Sequence, residues 1–361
     1  MADDVPSRPT RSRNLGRFAT PAIGTLVIAF VLWRLWRVQF VEQIYRPDTW
    51  ARFAISGIIL GGVYALIALG YTLVYGILFM INFAHGDIMM LAAFAGYFTL
   101  EAFNAAGLLN RGLGWSIVSV AAAFASGILT GTITAMVLER IAYRPLRKAP
   151  RLVPLISAIG ASLFLENAAQ LVFGSARHRY VNPEVIQHNA GWNLMVSGEP
   201  VLVTYTGVLT FVLSILLMIG LYALVQRTKM GKAMRAVAED KDIAALMGID
   251  VDRVIGNTFA ISGVLAGAAG VMWGLHMGII YHYVGFIPGI KAFTAAVMGG
   301  IGNIPGAMLG GLALGLMEAL GPAALGIPFQ LKDVLAFSIL VLVLVFRPTG
   351  LLGEVLSAKK M

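Results

Sequence analysis

Between Arg253 and Lys291 the chain runs for 37 residues without one Asp, Glu, Lys or Arg. A membrane-spanning helix needs about 20 apolar residues, so this run is too long for one span and too apolar for a solvated loop. A break is expected between His276-Met277-Gly278 and Pro288-Gly289, where turn-forming residues cluster. Other charge-free runs cover 18–33, 53–84, 88–100, 112–138, 152–165, 200–226, 292–317 and 334–346. Only 12% of all residues are charged, against about 25% in an ordinary soluble domain, which excludes a water-soluble enzyme. The chain contains no cysteine, so no disulfide framework organises it. Its 41 glycines fit helices that pack closely in lipid. The net charge of +9 marks loops at one membrane face; in so apolar a chain it does not point to nucleic acid.

The basic residues set an orientation. Arg8, Arg11, Arg13 and Arg17 precede the first run, Arg140, Arg144, Arg147, Lys148 and Arg151 fill one loop, residues 226–253 carry six more, and Lys359 and Lys360 end the chain. Placing all four groups in the cytoplasm requires an even number of crossings between each pair. Ten spans satisfy this: about 18–37, 53–79, 88–106, 115–138, 152–173, 203–225, 254–275, 289–303, 305–320 and 328–346. The short last run gains length if Lys332 and Asp333 pair or snorkel. Arg34, Arg37, Arg46 and Arg52 disagree, since they fall in the first external loop. The first run resembles a signal peptide, but it ends in Leu32-Trp33-Arg34-Leu35-Trp36-Arg37 with no small-x-small cleavage site, so it reads as an uncleaved anchor. Residues 174–200 read as a polar external loop. The expected fold is an all-α, polytopic integral membrane bundle with broken helices, and an inverted repeat is open to it. It divides into a basic start with an extra first span (1–50), a transmembrane domain (51–353) and a short tail (354–361).

Three segments interrupt the apolar pattern. In Asn82-Phe83-Ala84-His85-Gly86-Asp87 a helix is expected to end near Asn82, and Asp87 to cap the next. The plain reading is a cytoplasmic hairpin with satisfied caps; the functional one is a gate or partner contact. A metal site is excluded because no third ligand stands at helical spacing. In the second segment a half-helix stops at Gly299-Gly300, and after Gly302-Asn303 a new one starts near Pro305. Gly302, Gly306 and Gly310 follow at GxxxG spacing, as do Gly311 and Gly315, which reads as tight helix packing. Discontinuous helices in pairs also flank transport paths. The cluster is no phosphate loop, since no Lys-Ser/Thr follows. The third segment is a hydrophilic loop with helical periodicity. Met230, Ala233, Met234 and Val237 share one face, with Lys232, Arg235 and Glu239 elsewhere. After Asp240, Ile243, Leu246 and Met247 repeat the pattern until Gly248 ends it. Two amphipathic helices therefore rest on headgroups or fill a groove on a soluble partner.

These segments also carry a family resemblance. Gly70-Tyr-Thr-Leu-Val-Tyr-Gly76, Ile81-Asn-Phe-Ala-His-Gly-Asp87, Met230-Gly-Lys-Ala-Met-Arg235 with Ala238-Glu239-Asp240 and Leu246-Met-Gly-Ile249, Lys291-Ala-Phe-Thr-Ala-Ala-Val297, Gly299-Gly-Ile-Gly-Asn-Ile-Pro-Gly-Ala307 and Pro348-Thr-Gly-Leu-Leu-Gly353 resemble the LivH-type permeases of bacterial branched-chain amino acid ABC importers. The resemblance runs from about Ala51 to Gly353. It implies a multi-pass protein of the bacterial inner membrane that works with a second, LivM-type permease, two cytoplasmic ATPases and a periplasmic substrate-binding protein. It assigns coupling with an ATPase to the 230–248 loop, including Asp240 and Gly248. The Glu-Ala-Ala triplet of other ABC permeases is absent. The permease then needs no cofactor, ATP being bound by its partners.

The chemistry in the chain agrees. It has no nucleotide-binding motif, and Glu101, Glu166, Lys291, Glu318 and the Lys332-Asp333 pair are the few ionisable residues within apolar runs. Most lie near run ends, where snorkelling or capping accounts for them, whereas ion-coupled carriers use several near mid-bilayer. An ATP-independent carrier or channel is the alternative class. An intramembrane enzyme using His85 and Asp87 is disfavoured, because i, i+2 spacing does not place both on one helix face. Urea or amide import is the alternative substrate class.

Overall fold

The apolar runs become helices, and their small residues decide which of them sit at the centre. The computed structural model describes residues 29–353 other than 31, 35, 43, 44, 148, 151, 188 and 348. The basic start, the first half of the expected 18–37 span, Lys148, Arg151, Pro348 and the tail 354–361 lie outside the described residues. The long helices are α1 (Pro47–Leu78), α2 (His85–Ala105), α3 (Leu113–Leu138), α4 (Leu152–Phe173), α5 (Tyr205–Arg227), α8 (Val251–Met277) and α10 (Ile304–Leu325). Two short helices, α6 (Lys229–Glu239) and α7 (Lys241–Leu246), form the 226–253 loop. The half-helix α9 (Phe286–Gly299) and the final α11 (Lys332–Phe346) complete the bundle.

Eight helical segments among the described residues are long and apolar enough to cross a membrane. They match eight of the ten expected spans, and most of the expected 18–37 span lies outside the described residues. Residues 289–303 do not form a full span: α9 has 14 residues, about 21 Å at 1.5 Å per residue. The all-α expectation holds apart from four short strands. Within and just beyond the expected polar loop at 174–200, β2 (Gly191–Val196) and β3 (Glu199–Thr204) pair as an antiparallel hairpin, Gly191 opposite Thr204 and Val196 opposite Glu199. Ser197 and Gly198 both have positive φ, as a two-residue hairpin turn requires. β1 (His178–Arg179) pairs with β4 (Ile279–Ile280), tying this end to the end of α8. We call it the hairpin end and the opposite one, which carries α6 and α7, the loop end.

Helices α1 and α8 run in opposite directions through the centre, each with 72% of its most apolar window buried. Small residues allow their neighbours close. Gly311 and Gly315 of α10 lie on the backbone of Ala65 and Gly61 of α1, while Gly263 and Gly267 of α8 lie on Gly131 and Gly127 of α3. Helices α3, α4, α5 and α11 form the periphery and keep apolar side chains on the outside.

Candidate functional site

Both long central helices are followed by a break, and the two breaks meet. At the loop end α1 stops at Leu78, with Phe79 in the left-handed region. The chain then turns back inward, and α2 begins at His85. His85 lies against Gly70 and Ser262, which are eight residues before the end of α1 and eleven after the start of α8. At 1.5 Å per residue that is about 12 to 16 Å inside the bundle. At the hairpin end α8 stops at Met277, capped by left-handed Gly278, and residues 278–285 lead inward to the start of α9. There Gly86 and Gly285 touch backbone to backbone, and Gly289 sits beside Gly86. Each break thus enters from a different end.

The expected cytoplasmic hairpin at 82–87 is corrected by this geometry. Asn82, His85 and Asp87 are all buried. Neither Asn82 nor Asp87 caps a helix: residue 84 precedes α2 without a side-chain cap, and Asp87 lies within its first turn. Asn82 instead accepts a hydrogen bond from the Tyr143 hydroxyl. The Ser262 hydroxyl lies 3.3 Å from His85 Nδ1, and Tyr71 packs edge-on against the imidazole. Non-helical backbone at this depth survives only where protein covers it or where it borders a cavity.

A cavity of about 90 Å³ does lie at the junction, lined by Tyr71, Phe83, Asp87, Ser162, Gly285 and Gly289 among others. The Ser162 hydroxyl holds one side of the Asp87 carboxylate, while Asp87 Oδ1 has no partner. One turn along α4, Glu166 Oε1 is also buried and unpartnered. Sequence reasoning missed Ser162 and Gly285, and it named Tyr71 only within a family motif and Gly289 only as the edge of a break, not as parts of this site. Ser162 is an isolated hydroxyl in an apolar run, and the two glycines gave no polar signal within 254–290.

The other two motifs converge at the loop end. Gly299 and Gly300 end α9, and Asn303 caps α10 by accepting from Gly306 N at 3.0 Å. Gly306 packs on the Gly299 carbonyl and Gly310 on that of Ala295, so the GxxxG face joins the two halves of the broken pair. Gly302 departs from the expectation of tight packing: it has positive φ, and a side chain built on it would meet open space. Gly302, Asn303 and Pro305 share a vestibule of about 440 Å³ with Tyr75, Phe79, Tyr222, Arg235 and Ala238.

The expected amphipathic helices are present, but the inward partner differs from both sequence readings. Met234 and Val237 are buried and Met230 and Ala233 partly so, all in the permease's own core. Thr228 caps α6 by accepting from Gly231 N, and Arg235 donates to the Val225 carbonyl. The apolar face therefore rests on the permease bundle and is not free for headgroups or a partner's groove. Asp240 caps α7, and Gly248, with positive φ, ends it as expected. On α7 and just after it, Ile243, Leu246 and Met247 are 58%, 85% and 78% exposed. Burial and the adjacent Arg147 lower the Lys241 ammonium from its ordinary value.

A further correction concerns the intramembrane charges. Lys291 is not a snorkelling residue: its Nζ lies 2.8 Å from Glu318 Oε1 and 2.6 Å from Asp333 Oδ1. Tyr64 donates to Glu318 Oε2 at 2.9 Å, and Lys332 reaches Glu318 at 3.1 Å. Lys332 and Asp333 thus pair inward with α9 and α10, not with each other.

Comparison with known proteins sets this geometry in a family. Residues 53–344 match the family described as branched-chain amino acid transport system / permease component. The chain is 45% identical over 304 residues to the high-affinity branched-chain amino acid transport system permease protein BraD of Pseudomonas aeruginosa, covering 83% of this chain and 94% of that protein. It is 43% identical over 303 residues, with the same coverage, to the high-affinity branched-chain amino acid transport system permease protein LivH of Escherichia coli K12. To the fructose import permease protein FrcC of Rhizobium meliloti it is 28% identical over 215 residues, 56% of this chain and 54% of that one. No solved structure matches.

Proposed function

This chain belongs to the family of branched-chain amino acid transport permeases, and on that premise we propose that it moves branched-chain amino acids across the bacterial inner membrane into the cytoplasm. It is a multi-pass membrane permease, the permease subunit of an ABC importer, and not an enzyme. In this reading a second, LivM-type permease completes the membrane unit, two cytoplasmic ATPases bind and hydrolyse ATP, and a periplasmic binding protein delivers substrate. The loop end then faces the cytoplasm.

The observation that carries the reading is the meeting of two breaks inside the bundle within a chain of this family. The path runs past Phe83, His85, Gly86 and Asp87, where the outer and inner breaks abut, to the vestibule at Gly302, Asn303 and Pro305. The unpartnered Asp87 Oδ1 and Glu166 Oε1 there supply polar footing in an apolar wall. Coupling runs through residues 230–248. Helix α6, held to the bundle by Met234, Val237 and Arg235, transmits force, and the exposed Ile243, Leu246 and Met247 are the surface for the ATPase.

The test is uptake into proteoliposomes. The permease with its companion subunits, binding protein and internal ATP should accumulate labelled leucine, isoleucine or valine, and excess urea should not compete. Accumulation by this chain alone, without ATPase subunits, would show an autonomous carrier and overturn the reading.

A further inference from the structure

At the loop end a cleft of about 500 Å³ opens between the last turns of α3 and the first turn of α8. One wall is apolar and outward-facing: Ile133, Met136 and Val137 of α3 line it and are exposed. The same stripe continues along the outside of α3 through Leu129. The rim is ionic. Three carboxylates line it, and each is already engaged. Arg147 bridges Glu139 and Asp252, Arg144 adds a second contact to Asp252, and Asp250 accepts from Arg253 N as the cap of α8.

Two guanidiniums on the rim have no such engagement. Arg140 and Arg253 both line the cleft and are exposed, and among the described residues neither side chain forms an ion pair. The position of the cleft matters as much as its charge. It begins on an apolar outer helix face and ends where that helix leaves the apolar zone, the level of phospholipid headgroups. Arginine forks match phosphate oxygens in a bidentate manner. Basic pockets between membrane helices at this level take anionic headgroups. Acyl chains laid on Ile133 and Met136 would place a phosphate between the two free guanidiniums.

We propose that this cleft is a binding site for an acidic phospholipid, its phosphate held by Arg140 and Arg253 and its chains lying along α3. The lipid clamps α3 to the start of α8, and residue 250 directly follows the proposed coupling loop, so occupancy stiffens the anchorage of that loop. The site stands whichever substrate the permease carries.

Purified full-length permease is placed in nanodiscs of phosphatidylcholine with a minor fraction of spin-labelled phosphatidylglycerol, and the motionally restricted lipid fraction is measured. The wild type should restrain phosphatidylglycerol selectively over labelled phosphatidylcholine. Arg140→Ala with Arg253→Ala should cut that selectivity about thirtyfold, in line with two lost surface cations, with thermal unfolding in detergent near that of the wild type. Arg140→Lys with Arg253→Lys should retain part of it. Inorganic phosphate at millimolar concentration should not displace the lipid; displacement would mark a free-anion site and overturn the assignment. Equal selectivity in the wild type and the double Ala variant would also overturn it. If the Ala variant unfolds early, the Lys variant decides: reduced selectivity supports the forked contacts, and selectivity equal to that of the wild type overturns them.

Discussion

Buried Lys291 reaches two carboxylates, the buried Glu318 on α10 and the half-exposed Asp333 on α11, and holds the half-helix α9 against both. Removing one partner of a buried ion pair leaves the other charge stranded, which costs about 3 to 5 kcal/mol. Lys291→Met should therefore lower the thermal unfolding midpoint in detergent markedly, and Lys291→Met with Glu318→Met should recover part of the loss, since the stranded carboxylate is gone. A double variant no better than the single would show that Asp333, not Glu318, is the decisive partner. The junction glycines make a different prediction. Gly285 has φ −78° and ψ −24°, so alanine fits its backbone without strain, and any effect comes from contact alone. Its added carbon would meet the Gly86 carbonyl and Asp87 N. Gly285→Ala should cost about 1 to 3 kcal/mol by overpacking and push the breaks apart. Gly289→Ala, which meets Gly86 Cα at 3.1 Å, should be milder. Transport assays at matched membrane levels would rank them, and equal, full transport by both would mean the junction does not need close contact. The sequence pattern reveals that these residues are glycines but not which backbone they approach, because the approach joins segments almost 200 residues apart.

The 226–253 loop shows what periodicity can and cannot tell at the scale of an element. Spacing of i, i+3, i+4 and i+7 identified the buried face of α6, and the caps Thr228, Asp240 and Asp250 mark the boundaries in the structure. Periodicity says that a face is covered without saying by what. Here the cover is the permease itself, because Gly231 lets α6 lie directly on the end of α5, on the Val225 carbonyl. This changes what substitutions should do. Ala233→Asp would put a charge against the permease's own core and reduce its membrane level. Leu246→Asp with Ile243→Asp touches exposed side chains only, so the protein should fold and insert normally. That pair should abolish co-purification with the ATPase subunits and coupled ATP hydrolysis, the expected effect of charging an apolar contact. Retention of the ATPases at wild-type levels by the pair would move the contact surface elsewhere, with the vestibule rim next. The half-helices follow the same logic: Gly278, Gly299 and Pro305 were legible as stops and starts, while the depth of each break was not, since depth depends on where the partner helix lies.

At the scale of the whole molecule, two antiparallel central helices are each followed by an inward break, one entering from each end. Which end faces the cytoplasm then decides the direction of every step. Basic residues alone argue this less sharply than the sequence pattern implied, because Arg34, Arg37, Arg46, Arg52, Arg177 and Arg179 sit at the hairpin end. The first four are ion-paired, with Glu42, Asp48 or Glu199, but so are Arg144 and Arg147 at the loop end, so the number of Lys and Arg decides, and eleven lie in 140–151 and 226–253. On the proposed function, the bias of positive residues toward the cytoplasm puts α6 and α7 inside and the β2–β3 hairpin outside. The absence of cysteine makes a direct check available. Met195 on the hairpin and Met247 after α7 are 72% and 78% exposed and form none of the ion pairs described above, so cysteine at either leaves the fold intact. In cells with a permeable outer membrane and an intact inner one, an impermeant thiol reagent should label Met195→Cys and spare Met247→Cys until the inner membrane is opened. The opposite pattern would invert the molecule, put the exposed apolar residues of α7 on the wrong side for an ATPase, and remove the basis for coupling through this loop.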